Sequence, residues 1–391
     1  MGAFITMLIF KNERQQFQQV YFYLQDHYFY QMEPLKEMFN LAFYEDYARV
    51  FADADKNFNA KQFLADVSRD MAQLSLNGRL RNTSVMLKKH LPGDFKRALT
   101  VLYTAAPSLR RGYTALVLPD YVALYGKDDF DRSMEALRYF TTFGSAEFAI
   151  REFLKTDLKK TLQIMHQWAD DENVHVRRLA SEGSRPRLPW SFKLDAIIGN
   201  PSLTRGILER LNRDPELYVR KSVANHLNDH SKDNTPYLLE VLGSWDGTDQ
   251  HTSWIIKHAS RSLIKKGDPG AMALFGFEKD LKIDITDLNF EKNRLVLGDT
   301  LHFDFKLTSR EAAEQKLVVD YAIHYVKSSG ATSRKVFKLK EFVILPGQTV
   351  LISKNQLIQD FTTRKHYPGT HKLEILVNGK LAGDASFELK S

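Results

Sequence analysis

The sequence predicts a chain of two parts, an all-α repeat solenoid followed by an all-β sandwich. Three observations predict it. Apolar residues recur at spacings of three and four from about residue 34 to 275, as in Leu137, Phe140, Phe148, Ile150 and Phe153, the period of helices with one buried face. A polar turn leading into a basic helix start occurs twice, as Asp171-Glu-Asn-Val-His-Val-Arg-Arg178 and Asp214-Pro-Glu-Leu-Tyr-Val-Arg-Lys221, with Val176 and Val219 43 residues apart. After Phe277 the period drops to two, and segments such as Leu301-His-Phe-Asp-Phe-Lys-Leu307 alternate strictly.

Taken in order, residues 1–31 stand apart. Phe4 to Phe10 is an apolar run too short to span a membrane, with no basic residue before it, and a stretch rich in Gln, Tyr and Phe follows. Met32-Glu-Pro-Leu-Lys36 reads like a natural start, with Pro34 suited to a helix's first turn, so residues 1–31 are expected to be an extension added by an upstream start codon, the alternative being a genuine extra helix docked through aromatics such as Phe22 and Phe29. Turns at Leu91-Pro-Gly-Asp94 and Lys127-Asp-Asp129 separate the helices that follow. A weaker third copy of the repeat is Trp254-Ile-Ile-Lys257-His-Ala-Ser260, closed by Gly267-Asp-Pro-Gly270. A period near 40 built of helix pairs is the pattern of HEAT and armadillo repeats. Val319 to Tyr325 and Lys372 to Val377 alternate like Leu301 to Leu307, and the turns Leu297-Gly-Asp299, Ser328-Ser-Gly330 and Asn378-Gly379 punctuate them. About seven short strands fit after residue 281, an immunoglobulin-like sandwich without a disulfide. The expected organisation is therefore multidomain: an extension over 1–31, a HEAT-like repeat domain over 32–277 and an immunoglobulin-like β-sandwich over 278–391.

Composition narrows the chemistry. The 391 residues exceed what one core usually serves, and 43% apolar content is ordinary for a soluble protein. A net charge of +7 favours an anionic partner, nucleic acid above all. With no cysteine, disulfides, thiolate metal sites and a cysteine nucleophile are excluded, and a reducing compartment is compatible. No phosphate-binding glycine loop is present, and His175, His226, His230 and His251 lack metal-ligand spacing, so neither metal nor cofactor is expected.

The densest segment is Ser181-Glu-Gly-Ser-Arg-Pro-Arg-Leu-Pro-Trp190, where Pro186 and Pro189 break the helix that carries Arg177 and Arg178. Each acid near it has two readings. Ser145-Ala-Glu-Phe148 looks like a helix start, with Ser145 as N-cap and Glu147 at the positive end of the dipole. Glu182 is placed for an ion pair with Arg178 or Arg185, and Asp229 for a turn at the end of the second repeat helix. Equally, Glu182 and Asp229 end successive repeats, and carboxylates converging there could stabilise a cation and orient water. Trp190 suits either a core or the flat face of a ligand. Between Arg177 and Lys221 ten Lys/Arg stand against five Asp/Glu, and repeated basic positions would line one face of a solenoid.

Glu-Gly-Ser-Arg-Pro-Arg-Leu-Pro-Trp at 182–190, Ser-Ala-Glu-Phe at 145–148, Val-Arg-Lys-Ser-Val-Ala-Asn-His-Leu-Asn-Asp at 219–229 and Met-Glu-Pro-Leu-Lys at 32–36 resemble the AlkC branch of the AlkC/AlkD DNA-alkylation-repair glycosylases. The resemblance spans about 32 to 276 and continues into the C-terminal part. It implies a helical solenoid whose basic concave face grips duplex DNA and excises cationic, N-alkylated bases of the 3-methyladenine and 3-methylcytosine type, without a pocket for an extruded base. It implies that Glu147, Glu182 and Asp229 are the catalytic-site carboxylates and Trp190 the adjacent aromatic. The basic series Arg177, Arg178, Arg185, Arg187, Arg220, Lys221 and Lys257 is expected to bind DNA, with Arg178 touching DNA or holding a carboxylate. The expected partner is double-stranded DNA carrying alkylated bases, with no membrane and a monomeric protein. The alternative function is a non-enzymatic HEAT-repeat scaffold that binds nucleic acid or protein. A lyase mechanism is disfavoured, because no lysine stands inside the central motif to act as nucleophile.

Overall fold

A computed structural model describes residues 34–278, 281–361 and 365–390, so the extension expected over 1–31 lies outside the described residues. The chain packs as two compact units, one running to Phe153 and the other from Leu154 to the end.

The first unit opens on a short 3-10 helix, Leu35–Phe39, for which Pro34 stands at the N-cap. Its α-helices are α1 (Leu41–Ala54), α2 (Ala60–Ser68), α3 (Leu76–His90), α4 (Phe95–Ala105), α5 (Val117–Tyr125) and α6 (Phe130–Phe140), followed by the start of α7 (Ala149–Thr156). Asn40, Asn59, Ser75 and Asp94 each cap a helix by accepting a backbone N–H of its first turn. Phe39, Phe43, Tyr47, Phe51, Phe58 and Phe63 bury their rings against one another. The periodic residues Leu137, Phe140, Ile150 and Phe153 are buried as their spacing predicts, while Phe148 is half-buried.

The second unit continues with α8 (Leu158–Trp168), α9 (Val174–Gly183), α10 (Asp195–Gly199), α11 (Arg205–Arg210), α12 (Leu217–Asp229), α13 (Thr235–Ser244), α14 (Gln250–Ala259), α15 (Arg261–Lys266) and α16 (Pro269–Leu274). The three sequence repeats become α9, α12 and α14, which stack in that order. Val176 and Val219 hold equivalent buried places in the first two.

The strands then form two sheets. One has the order β1 (Ile283–Phe290), β3 (Thr300–Ser309), β6 (Thr349–Leu357). The other runs β2 (Arg294–Leu295), β8 (Lys380–Leu389), β7 (Gly369–Val377), β4 (Gln315–Val326), β5 (Thr332–Ile344). Pairing is antiparallel except between β2 and β8. Alternation puts Leu301, Phe303, Phe305 and Leu307 against Val319, Tyr321, Ile323 and Tyr325 in the sandwich core. The expected turn at Asn378-Gly379 has both residues at positive φ, 46° and 77°, as a two-residue hairpin loop demands.

The change from helix to strand falls at the boundary expected at 277, and within the second unit the last helices and the sandwich share apolar contacts. Val318, Asp320 and Ala322 lie on the β4 face opposite the sandwich core and are buried too. Val318 packs with Met272 and Phe277, against Ile264 and Phe275. Beside them the end of α15 meets the β7–β8 turn backbone to backbone, and a Cβ on Gly379 would lie 2.2 Å from the Gly267 Cα.

This contact should be sensitive to one methyl group. Gly379→Ala brings both the overlap and an unfavourable positive φ, so it should destabilise the second unit by more than ~1 kcal/mol. Thermal unfolding should show a midpoint lowered by several degrees. An unchanged midpoint would mean that the seam yields freely.

Candidate active site

The site is built at the ends of two stacked helices. Asn173 starts α9 by accepting the His175 N–H at 2.9 Å. At the other end Ser184 turns its Oγ back to the Ala180 carbonyl at 2.7 Å, and Pro186 prevents continuation. Glu182 thus lies in the last turn of α9, and Asp229 is the last residue of α12. Arg185, in the break, joins them. Its Nη1 donates to Glu182 Oε1 at 2.7 Å, and its Nε and Nη2 donate to Asp229 Oδ2 and Oδ1 at 2.9 and 3.0 Å. Arg178, one turn before Glu182, approaches the same Oε1 at 3.5 Å and lies over the Tyr218 ring. All three members of the triad are buried. Glu182 Oε2 takes no hydrogen bond among the described residues.

Burial raises the Asp229 carboxyl above its ordinary value, against the pull of Arg185. Burial by itself would lower Arg185, but Asp229 and Glu182 outweigh it and hold the guanidinium charged. The charges are mutually compensated, as buried ions must be.

A second fork lies beside the first. Arg187 Nε and Nη2 donate to Asp233 Oδ2 and Oδ1 at 2.5 and 2.6 Å, and Arg187 holds the Asp233 carboxyl below its usual range. Leu188 is buried, and the Leu194 N–H returns to the Pro186 carbonyl at 3.1 Å. From this pinned loop Trp190 projects outward, 73% exposed, with φ at 64°. A core position is thereby ruled out. A bulky residue held at positive φ costs free energy, and such strain gathers at functional sites.

Glu147 belongs to the other unit. α7 begins at Ala149, so Ser145 caps the preceding turn and not the helix itself. Its Oγ accepts the Glu147 N–H at 3.2 Å and donates to Glu147 Oε2 at 2.8 Å.

The basic series divides. Arg177 donates from Nη1 to the carbonyls of Asp171 and Glu172 at 3.0 and 2.9 Å, and Arg220 does the same to Asp214 and Pro215 at 2.7 and 2.6 Å. Arg177 also grips Asp214 through Nε at 2.6 Å. The repeated spacing at these two positions therefore records a staple between each helix and the turn before it. Arg185 and Arg187 are likewise paired with carboxylates, so each of these four arginines, expected to bind DNA, has protein partners of its own. Lys257 donates to Glu341 of β5 at 3.0 Å, and Lys221 is exposed.

Sequence reasoning missed Asp214 and Asp233, and it missed the fully buried Arg151 of α7. His226, weighed there only as a metal ligand, reaches the Ser181 carbonyl at 3.0 Å and the Thr204 hydroxyl at 3.2 Å. A usable signal existed for Asp233: Arg185 and Arg187 stand two apart in the break, and Asp229 and Asp233 four apart at the end of α12.

Among the described residues no helix is long and apolar enough to cross a membrane. The fold and the paired ends of α9 and α12 define a helical-repeat protein with an immunoglobulin-like partner domain, and comparison with known proteins gives the family. Residues 126–263 match the family described as DNA alkylation repair enzyme, and residues 284–391 match the C-terminal Ig-like domain of the uncharacterised protein YhaZ. The chain is 41% identical over 359 residues to the uncharacterized protein YhaZ of Bacillus subtilis (strain 168), covering 92% of this chain and all of that protein. It is 48% identical to the Pseudomonas fluorescens alkylpurine DNA glycosylase AlkC, solved bound to DNA containing an abasic site analog, with a TM-score of 0.89 over 92% of this chain and all of the other. The chain belongs to the AlkC branch of the DNA alkylation repair enzymes.

His230, next to Asp229, supplies a pH test of the site's integrity. It is buried between His226 and Tyr237, and neither ring nitrogen has a hydrogen bond among the described residues. Burial pushes it down to about 4. Between pH 6.5 and about 4 only the unfolded chain takes the proton, so stability should fall as pH falls through that window, by on the order of 3 kcal/mol. Urea unfolding at pH 7 and pH 4.5 should show a smaller difference for His230→Phe than for the wild type. Equal differences would reject this role.

Proposed function

We propose that this chain is a monofunctional DNA glycosylase that hydrolyses the N-glycosidic bond of cationic, N-alkylated bases in duplex DNA, of the 3-methyladenine and 3-methylcytosine type. The observation that carries the reading is the Arg185 fork, which fixes Glu182 and Asp229 beside one another and leaves Glu182 Oε2 without a hydrogen bond. An alkylated base already bears positive charge and leaves without a general acid. Its departure makes the sugar oxocarbenium-like, and carboxylate oxygens oppose that charge and orient the attacking water. This is glycoside hydrolysis with the acid step removed. In this reading Glu182 Oε2 accepts from the water, Asp229 faces the developing cation, and Glu147 is the third carboxylate. Trp190, held outward by its loop, lays its indole against the charged lesion. The protein acts as a monomer and requires no cofactor.

Support comes from the family membership and from the chemistry of a buried acid pair with a spare acceptor. A scaffold that only bound nucleic acid would gain nothing from such a pair.

Asp229→Asn and Glu182→Gln should each slow single-turnover release of 3-methyladenine by ~10²–10³ while duplex affinity stays nearly intact. Glu147→Gln should slow it as well. Wild-type release by both the Asp229 and Glu182 variants would reject the assignment and favour the scaffold. Because burial raises Asp229, the acid limb of the wild-type rate should lie above the ordinary aspartate value of 3.8.

Binding gives a separate measurement. Lys221→Ala should lower the salt slope of duplex affinity by about one unit, as for one lost phosphate contact. Arg220→Ala should instead lower the unfolding midpoint, since it removes the staple to Asp214 and Pro215. The reverse pattern would place Arg220 on DNA.

A further inference from the structure

The seam between the last helices and the sandwich holds a half-open cavity of about 180 Å³. Its floor is apolar, formed by Ile264, Phe275, Phe277 and Val318. The Phe275 and Phe277 rings lie 6.2 Å apart at 32°, and Phe275 is only half-buried. One wall carries Asp320 of β4, 3% exposed. Among the described residues the Asp320 carboxylate makes no hydrogen bond and no ion pair. Cations stand around it: Lys338 is its cross-strand neighbour on β5, and Lys265 approaches from α15. Lys338 and Lys257 are tied to Glu341 at 2.6 and 3.0 Å, whereas Lys265 has no ion pair among the described residues.

A buried carboxylate without a partner is costly, and burial pushes Asp320 up to about 6 despite both lysines. The rest of the sandwich outer face does not require an acid there, since its neighbours Val318 and Ala322 are apolar and equally buried. An acceptor kept in an apolar cavity under a cationic rim fits a ligand that has a hydrogen-bond donor at one end, a flat ring in the middle and an anion at the other.

Size narrows the class. An apolar cavity of ~150 Å³ holds one benzene ring, so a single flat ring fits between these walls. Cytosine is the single-ring base that offers an amino donor, and a carboxylate accepts from its N4, whereas thymine presents an acceptor at that place.

We propose that the seam cavity is a binding site for a cytosine nucleotide, with the ring against Phe275 and Phe277, the N4 amino group on Asp320, and the phosphate at the rim on Lys265. The nucleotide is either free or an unstacked residue of a DNA strand. The inference does not rest on the glycosylase reading, because the cavity shares no residue with the Glu182–Arg185–Asp229 cluster.

The test uses the full chain and calorimetric titration with dCMP, dTMP, deoxycytidine and inorganic phosphate. The expected result is a preference of about tenfold for dCMP over dTMP. Asp320→Asn adds a donor and should erase that preference. It removes an unpaired buried charge, so its unfolding midpoint should not fall. Lys265→Ala, at an exposed position, should weaken dCMP but leave deoxycytidine unchanged. Equal binding of dCMP, dTMP and phosphate would overturn the proposal in favour of an unspecific anion patch. No binding at millimolar dCMP would overturn it too, as would an unchanged preference in a folded Asp320→Asn. A duplex with one bulged cytosine distinguishes the sources. Displacement of dCMP by it, and not by a bulged thymine, supports the site with DNA as the source. Failure to displace bound dCMP supports the site with the free nucleotide as the source.

Discussion

The guanidinium of Arg185 is the constraint on which the rest of this site depends. It makes three hydrogen bonds with two carboxylates that belong to different repeats. Without it, Glu182 and Asp229 would be two buried negative charges at adjacent helix ends, an arrangement that desolvation and repulsion oppose. With it, the ends of α9 and α12 are locked in register, and the two carboxylates share one guanidinium in a buried place. The planar fork matters here: a lysine could neutralise the charge but could not fix two oxygens of Asp229 and one of Glu182 in a single geometry.

The neighbouring Arg187–Asp233 fork extends this lock to the chain break itself. Two forks and the buried Leu188 leave the loop little freedom, and Trp190 is held where relaxation would otherwise remove its positive φ. Strain at Trp190 is thus sustained by interactions that the neighbouring Arg185, Arg187 and Leu188 make. Rigid support of this kind is what a reacting geometry needs, because small displacements weaken oriented electrostatics.

Arginine serves other purposes in the second unit. Arg177 and Arg220 occupy the same place in successive repeats and bind the carbonyls of the turn before their own helix. A recurrent basic position in a helical repeat is therefore not by itself a nucleic-acid contact. At the far end of the unit, the last helices and the sandwich meet through Met272, Phe277 and Val318 and through two glycines without intervening side chains. This contact seats the sandwich directly on the last helices of the second unit.

The sequence by itself determined what depends on local period and local chemistry. Helical spacing marked the buried faces of α6 and α7, strict alternation marked β3 and β4, and Asn378-Gly379 marked its hairpin, because each pattern follows from backbone geometry within a few residues. The repeat in Val176 and Val219 marked the helices that stack, and the string at 182–190 marked the family. Tertiary structure decided where long side chains end. An arginine reaches far enough to meet either solvent or a carboxylate forty residues away, and only the fold showed Arg185 on Asp229, Arg187 on Asp233 and Trp190 in solvent. It also decided that β4 is buried on both faces, since no local pattern records what a neighbouring helix will cover.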